Sequence, residues 1–380
     1  MKRVRTLAIV ESYPGVNRFL NSKSRNSNRT KVIYGYALEH FETFLKGEYK
    51  DYNIETILTA IQEKKVDVYQ LLDDFVGYLT KRQDANNGNT GLSSKSIQVY
   101  IVGIRSYLEA NDIEISSSKF KKRVTIPKTP KGIPEPIDAS DIRTILQACN
   151  NERLKVFLLV LASSGMRSIE ALTLRNSDID FSSSPTKVHI RPENSKTNQE
   201  NYVYISDEAS KELKGYIDSK DNTKPDRLVF SYENGTDSKI YLDLYRAIHL
   251  FFTRTLKKIE MNKRRDGTKR RTINFHSFRA FVYTTATRTK GQDFANWLLG
   301  HSNSTYWREK EETKRKDYLE IMRYLTFLDY SVLDAAVKST EAQLKQQEKQ
   351  IQIERNQMQN MREEMNSFKA ELAELKRKRK

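Results

Sequence analysis

The sequence predicts a mainly α-helical chain that carries one small antiparallel β-sheet, an α+β arrangement spread over more than one domain. Three observations lead there. Apolar residues recur at spacings of three and four along most of the chain, the period of a helix with one buried face. Two short segments instead alternate like strands, "TKVHIRP" at 186–192 and "NYVYIS" at 201–206, with the turn-rich "ENSKTNQE" between them, which reads as a hairpin. Finally, 380 residues with 37% hydrophobic content suffice for two or three cores, and a proline-rich stretch divides the chain.

Each element can be justified in order. Residues 1–28 end in the polar, turn-prone "NSKSRNSNR" and read as an irregular arm. The apolar run in "MKRVRTLAIVESYPG" is too short for the core of a signal peptide. From 29 to 118 three stripes predict a helical bundle. They are Val32, Tyr36, Ala37, Phe41 and Phe44; Leu71, Leu72, Phe75, Val76 and Leu79; and Ile97, Ile101, Ile104, Tyr107 and Leu108. Residues 119–138 hold four prolines and, with Lys119, Lys121, Lys122, Arg123, Lys128 and Lys131, six basic residues. Proline keeps a chain extended, so this segment is expected to be a basic linker.

A second domain is expected over 139–332. Asp138 or Ser140 can cap its first helix. "ERLKVFLLVLASSG" is apolar nearly all round and predicts a buried helix, with Gly165 as its left-handed stop. "RLVF" is a candidate further strand. "YLEIMRYLTFLDY" reads as a packing helix with Leu319, Met322, Leu325 and Phe327 around its tyrosines. In the tail, 333–380, Val337, Leu344, Ile351, Met358, Met365 and Leu372 recur every seven residues, the signature of a coiled-coil helix.

Lys and Arg number 66 against 49 acids, a formal charge of +17. That predicts a polyanionic partner, above all nucleic acid. A membrane surface is the rival, but the chain has no apolar stretch of the roughly 18 residues that a span requires. The single cysteine, Cys149, excludes an internal disulfide framework and a cysteine-based zinc site. These features predict a soluble, cytoplasmic protein.

The chemistry-bearing residues lie in the second domain. Arg167 follows the Gly165–Met166 break and precedes a helix led by Glu170, which can buttress it. Arg279 comes three residues after His276, so one helical turn puts both on one face. Two guanidiniums and imidazoles can neutralise charge that builds on phosphate oxygens. Lys196 occupies the hairpin turn, where an ammonium can protonate a leaving oxygen; Lys187, at the strand start, is a weaker candidate. His301 ends "WLLGH", and Tyr306 follows it by five residues. A basic run just before His276 supplies Lys263, Arg264, Arg265, Lys269, Arg270 and Arg271 as candidate contacts to a nucleic-acid backbone, to which Lys121, Lys122 and Arg123 of the linker add.

"SSGMRSIEALTLRNSDIDF", "HSFRAFVYTTATR" and "WLLGHSNSTYWREK", in that order, resemble the catalytic domain of tyrosine recombinases, the phage-integrase family. "STYWREK" is similar to a segment of integrases from archaeal viruses and mobile elements. The resemblance covers about 29–330. It implies a helical core-binding domain at 29–118 and a recombinase domain at 139–332, with Arg167, Lys196, His276, Arg279 and His301 as catalytic residues. Tyr306 would be the nucleophile; its interval from His301 is shorter than the family's usual one, and Tyr318 is the alternative. The implied activity is site-specific recombination through a 3′-phosphotyrosyl link, without metal or other cofactor. The implied partners are double-stranded DNA with a specific site and further copies of the chain, as a tetramer on DNA. A non-catalytic DNA-binding or architectural protein and a type IB topoisomerase-like enzyme are the competing readings.

Overall fold

The computed structural model describes residues 12–25, 27–81, 91–128, 135–195, 198–220, 224–231, 240–264, 271–301, 307–328, 350–351, 354–355 and 358, the side chains of 240–242 excepted. The chain divides into two compact units, Met1–Lys131 and Gly132–Lys380.

In the first unit the described residues form helices α1 (Pro14–Ser24), α2 (Asn28–Glu48), α3 (Thr56–Gln62), α4 (Val68–Lys81), α5 (Ser94–Glu109) and α6 (Ser117–Arg123). Serines start three of them. Ser27, Ser93 and Ser116 each accept a hydrogen bond from the backbone N–H three residues on. The core is aromatic at its centre, with Phe41 edge-on to Phe75 at 5.1 Å and Phe19 edge-on to Tyr107 at 5.4 Å.

Two expectations fail here. Residues 14–24 are a packed helix and not an irregular arm. Pro14 is well placed at a helix start, and Val16, Phe19 and Leu20 form a short stripe that is buried. Glu42, itself buried, fastens this region by accepting from Tyr13 Oη at 2.8 Å and from Ile54 N at 2.8 Å. Burial and the Glu42 carboxylate push the Tyr13 phenol up to about 12. Likewise 119–123, expected as linker, are the last turns of α6. Ser116 caps it and Phe120 anchors it, so Lys121 and Lys122 stand exposed on a helix. Arg123 pairs with Asp67 at 2.8 Å and lies over the Tyr69 ring.

The second unit opens with α7 (Ala139–Ala148), which Asp138 and Asp141 cap reciprocally. Helix α8 (Glu152–Ser164) is the central element, buried continuously from Val156 to Ser164, and ends at Gly165 with φ +68°. A short helix α9 (Ser168–Leu172) follows. The sheet is β1 (Ile179–Asp180), β2 (Thr186–Ile190) and β3 (Asn201–Ile205), antiparallel in the order β1-β2-β3, with Val188 opposite Val203. The strand pair anticipated at 186–206 is therefore present and β1 adds to it. "RLVF" contributes a single bridge, Arg175 to Leu228, and no strand. Then come α10 (Asp207–Ser219), α11 (Ile240–Lys258), α12 (Phe275–Lys290), α13 (Gln292–Leu298) and α14 (Glu311–Met322). Helices α10 and α12 and strand β3 pack on α8.

No described helix is long and apolar enough to cross a membrane. The heptad tail lies outside the described residues except for positions 350, 351, 354, 355 and 358, which are helical.

Leu20 has 0% exposure. Leu20→Ala should therefore destabilise the first unit by about 2–5 kcal/mol, the range for truncating a fully buried leucine. Urea denaturation of the full chain followed by circular dichroism measures this, and an unchanged midpoint would remove α1 from the core.

Candidate active site

The site is built where three chain breaks meet: the turn after α8, the start of α12 and the turn after α13. Arg279, in the second turn of α12, joins them. Its side chain is 4% exposed, and it donates from Nη1 to the Gly165 carbonyl at 2.7 Å and from Nη2 to the Leu299 carbonyl at 2.5 Å. Both carbonyls belong to turns that need glycine. Gly165 adopts φ +68°, and an added Cβ would stand 3.0 Å from Val282 Cγ1. Gly300 adopts φ +62°, and a Cβ there would stand 2.9 Å from Asn201 Nδ2.

Arg167 leaves the first of these turns as the residue before α9. Glu170, 3% exposed, accepts from the Arg167 backbone N–H at 2.6 Å and from its Nη1 at 2.7 Å. The anticipated buttress is thus a buried, two-point contact that fixes both the turn and the guanidinium. Arg167, Glu170 and Arg279 line one cleft with Ser195 and Asn201 of the hairpin and Gly300. Burial, then the neighbouring Arg167 charge, lower Arg279 to about 10 while Glu170 opposes the shift, so the guanidinium stays protonated at neutral pH.

His276 stands at the exposed start of α12, where its backbone N–H donates to the Asn274 cap at 2.9 Å. His301 directly follows Gly300. Its backbone N–H donates to Asn296 O at 2.9 Å, its Nδ1 lies 3.2 Å from Asn296 Oδ1, and Tyr283 packs on the ring at 5.7 Å. Partial desolvation lowers both imidazoles from their ordinary value, followed by the charges of Arg279 and Arg167 and, for His301, that of His276. These four groups therefore share one electrostatic field.

Two members of the expected set, Lys196 and Tyr306, lie outside the described residues, as do Arg265, Lys269 and Arg270. Their neighbours are placed: Ser195 borders the cleft, and Trp307 packs against Trp297 at 5.9 Å. Tyr318 is corrected as an alternative nucleophile. It is 0% exposed, donates its hydroxyl to Ser163 O at 3.0 Å, and burial raises its phenol well above the ordinary range. A phenol so enclosed cannot meet an external phosphodiester. Lys187 is engaged elsewhere, 2.7 Å from Glu311 and over the Tyr202 ring. Of the basic run, Lys263 and Arg264 are exposed. Arg264 bridges to Arg271, whose Nη1 donates to Thr253 Oγ1 at 2.6 Å. Asn296, Tyr283 and Asn201 escaped the sequence reading. Asn296 precedes His301 by five residues on the far side of a turn, and no local pattern signals such a contact.

Residues 135–309 match the model of the phage integrase family. The chain is 24% identical over 211 residues to tyrosine recombinase XerA of Pyrococcus horikoshii, a match spanning 55% of this chain and 70% of that one. It is 27% identical over 175 residues to tyrosine recombinase XerA of Saccharolobus solfataricus, covering 43% of this chain and 55% of the relative. A tyrosine recombinase of Thermosipho africanus is 25% identical over 279 residues, 70% of this chain and 88% of the relative. Among solved structures, XerH site-specific recombinase bound to difH substrate aligns over 76% of each chain with TM-score 0.49 and 17% identity.

His276, His301 and the half-buried His249 all have lowered imidazole pKa values, so the unfolded chain binds more protons than the folded one as pH falls through the ordinary value of 6.5. Stability contributed by these groups is thus full above that value and declines below it. Urea midpoints between pH 8 and 5.5 should fall, and replacing His276 and His301 by glutamine should flatten the slope. Proton NMR that titrates both imidazoles above 6.5 would contradict the assignment.

Proposed function

We infer that the chain is a site-specific DNA recombinase of the phage integrase family, whose model its residues 135–309 match, and that it works by a covalent phosphotyrosyl intermediate. The observation that carries this reading is the convergence of Arg167 and Arg279 on one cleft, beside the turn that presents His301.

The reaction follows from the chemistry of those groups. The Tyr306 oxygen attacks a DNA phosphorus, a 3′-phosphotyrosyl bond forms, and the bond to the 5′ oxygen breaks. Charge grows on the two non-bridging oxygens, where Arg167 and Arg279 offer guanidinium donors held in place by Glu170 and by backbone carbonyls. His276 and His301 flank the same phosphate, the first on the turn of α12 below Arg279. Lys196, the residue after Ser195 in the sequence, supplies the proton that the departing 5′ oxygen takes up. A 5′ hydroxyl from another duplex then attacks the phosphotyrosyl bond and releases the phenol. Bond energy is conserved, so the exchange is isoenergetic.

The substrate in this reading is double-stranded DNA carrying a specific site, bound by copies of the chain that assemble as a tetramer, in the cytoplasm. The exposed Lys121, Lys122, Lys263 and Arg264, with Arg123, Arg265, Lys269, Arg270 and Arg271, supply backbone contacts. Exchange of strands between two sites distinguishes a recombinase from a topoisomerase-like enzyme, which relaxes supercoils alone.

Trapping the covalent adduct on a nicked duplex tests the reading. Tyr306→Phe should abolish the adduct and retain binding, because it removes the attacking oxygen alone. Tyr318→Phe should keep the adduct and cost about 1 kcal/mol of stability, one hydrogen bond to Ser163. Peptide mapping that places the adduct on another tyrosine overturns the assignment.

Arg167→Ala should slow cleavage about 10²–10³-fold with little change in DNA affinity, as for a donor that meets charge developing in the transition state. Arg279→Ala should cost stability in addition, since two buried carbonyls lose their donor. Single-turnover cleavage beside equilibrium binding separates the effects. Equal losses in both would reduce Arg167 to a phosphate anchor.

A further inference from the structure

The two tryptophans of the chain, Trp297 and Trp307, meet at one place. Trp297, on α13, is 6% exposed and packs against β3, where Tyr202 lies edge-on at 5.6 Å. Trp307 is half-buried; it lies 5.9 Å from Trp297 and edge-on to Phe294 at 6.0 Å. Lys314, from the first turn of α14, sets its ammonium over both indoles, 5.1 Å from the Trp297 ring centre and 5.6 Å from that of Trp307. Indole faces attract a cation, and more strongly when it is partly withdrawn from water. Burial lowers the Lys314 amine, in keeping with that withdrawal.

The position in the sequence gives this cluster its meaning. Trp307 is the residue directly after Tyr306. His301, five residues before Tyr306, is tied to Asn296 through its ring and its backbone. Asn296 and Trp297 are consecutive residues of α13, so one helix fixes both flanks of the segment that carries Tyr306. Consecutive Cα atoms are roughly 3.8 Å apart, so the seat of Trp307 bounds where the next residue back can stand.

We propose that Trp297, Trp307 and Lys314 are positioning residues for the cleavage step: they moor the chain immediately after Tyr306 to α13 and thereby set the attacking oxygen against the cleft of Arg167 and Arg279. The proposal rests on the assignment of Tyr306 as the nucleophile. An aromatic pair serving the core alone would not require a lysine spread over both rings, nor one member left half-exposed at the residue after Tyr306.

The test compares full-length variants on a nicked DNA duplex at saturating protein, with DNA affinity and melting temperature measured in parallel. Trp307→Ala should slow adduct formation about 10²-fold, the scale of a misplacement of roughly 1 Å, with affinity and melting nearly unchanged. Trp307→Phe should restore much of the rate. Lys314→Met, which keeps the aliphatic stem, should give a smaller loss in rate that Lys314→Arg restores. Indole emission reports this cluster alone, because the chain has no other tryptophan. It should change in Lys314→Met, verifying that the lysine sits on the rings. Adduct formation by Trp307→Ala at the wild-type rate, with the adduct mapped to Tyr306, overturns the proposal and leaves the functional reading intact. Parallel losses of rate, affinity and melting temperature also overturn it, reducing the cluster to core packing. A wild-type protein that forms no adduct, or forms it at another tyrosine, overturns the reading and the proposal together.

Discussion

The second unit is organised around a charge that it has buried. Taking a guanidinium out of water costs several kcal/mol unless its donors are satisfied. Arg279 meets that demand with two backbone carbonyls, Gly165 and Leu299, drawn from turns far apart in the chain. The consequence is positional. Gly165 sets the exit of α8 and so the place of Arg167; Leu299 sets the exit of α13 and so the place of His301. If Arg279 shifts, both neighbours shift with it. The glycines make this knot possible, because each turn passes through a left-handed conformation where a side chain would collide with Val282 or Asn201.

A second tension is electrostatic. Partial burial, and then the positive potential of Arg279 and Arg167, make both imidazoles, His276 and His301, hold protons less tightly than usual. Glu170 offsets part of it and is spent on holding Arg167. Such a cluster is under strain until an anion enters, and a phosphodiester relieves it. In the proposed reaction the same charges that fold at some cost would hold the phosphate and stabilise its transition state, a trade that functional sites commonly show.

What the sequence disclosed was largely local. The all-round apolar α8, its stop at Gly165, the Asp138 cap, the hairpin and the Glu170 buttress each depend on residues within a few positions of one another, and each was legible. Helix α1 was hidden because the polar run at 21–29 outweighed the short stripe of Val16, Phe19 and Leu20. Helix α6 was hidden because its basic residues resembled those of the prolines' segment that follows. In the packing segment at 318–330, Leu325 and Phe327 are buried as expected, but Leu319 is 41% exposed and Tyr318 takes the place inside. A helix with charges on several faces gives a weak stripe, and Tyr204, whose ring receives Tyr318 at 5.4 Å, belongs to a strand distant in sequence. The support of His301 by Asn296 crosses a turn and was invisible for the same reason.

The acceptors of Arg279 also bear on how the chain tolerates sequence drift. A carboxylate partner can be lost by a single change of residue; a peptide carbonyl is present whatever the side chain. Position 299 can therefore vary in identity without erasing the bond, provided the new residue fits against α8. Position 165 has no such latitude, since any substituent disturbs the turn that aims its carbonyl. Heritable loss of this contact is channelled into two codons, those of Arg279 and Gly165, while the residue that supplies the other acceptor is comparatively free to change.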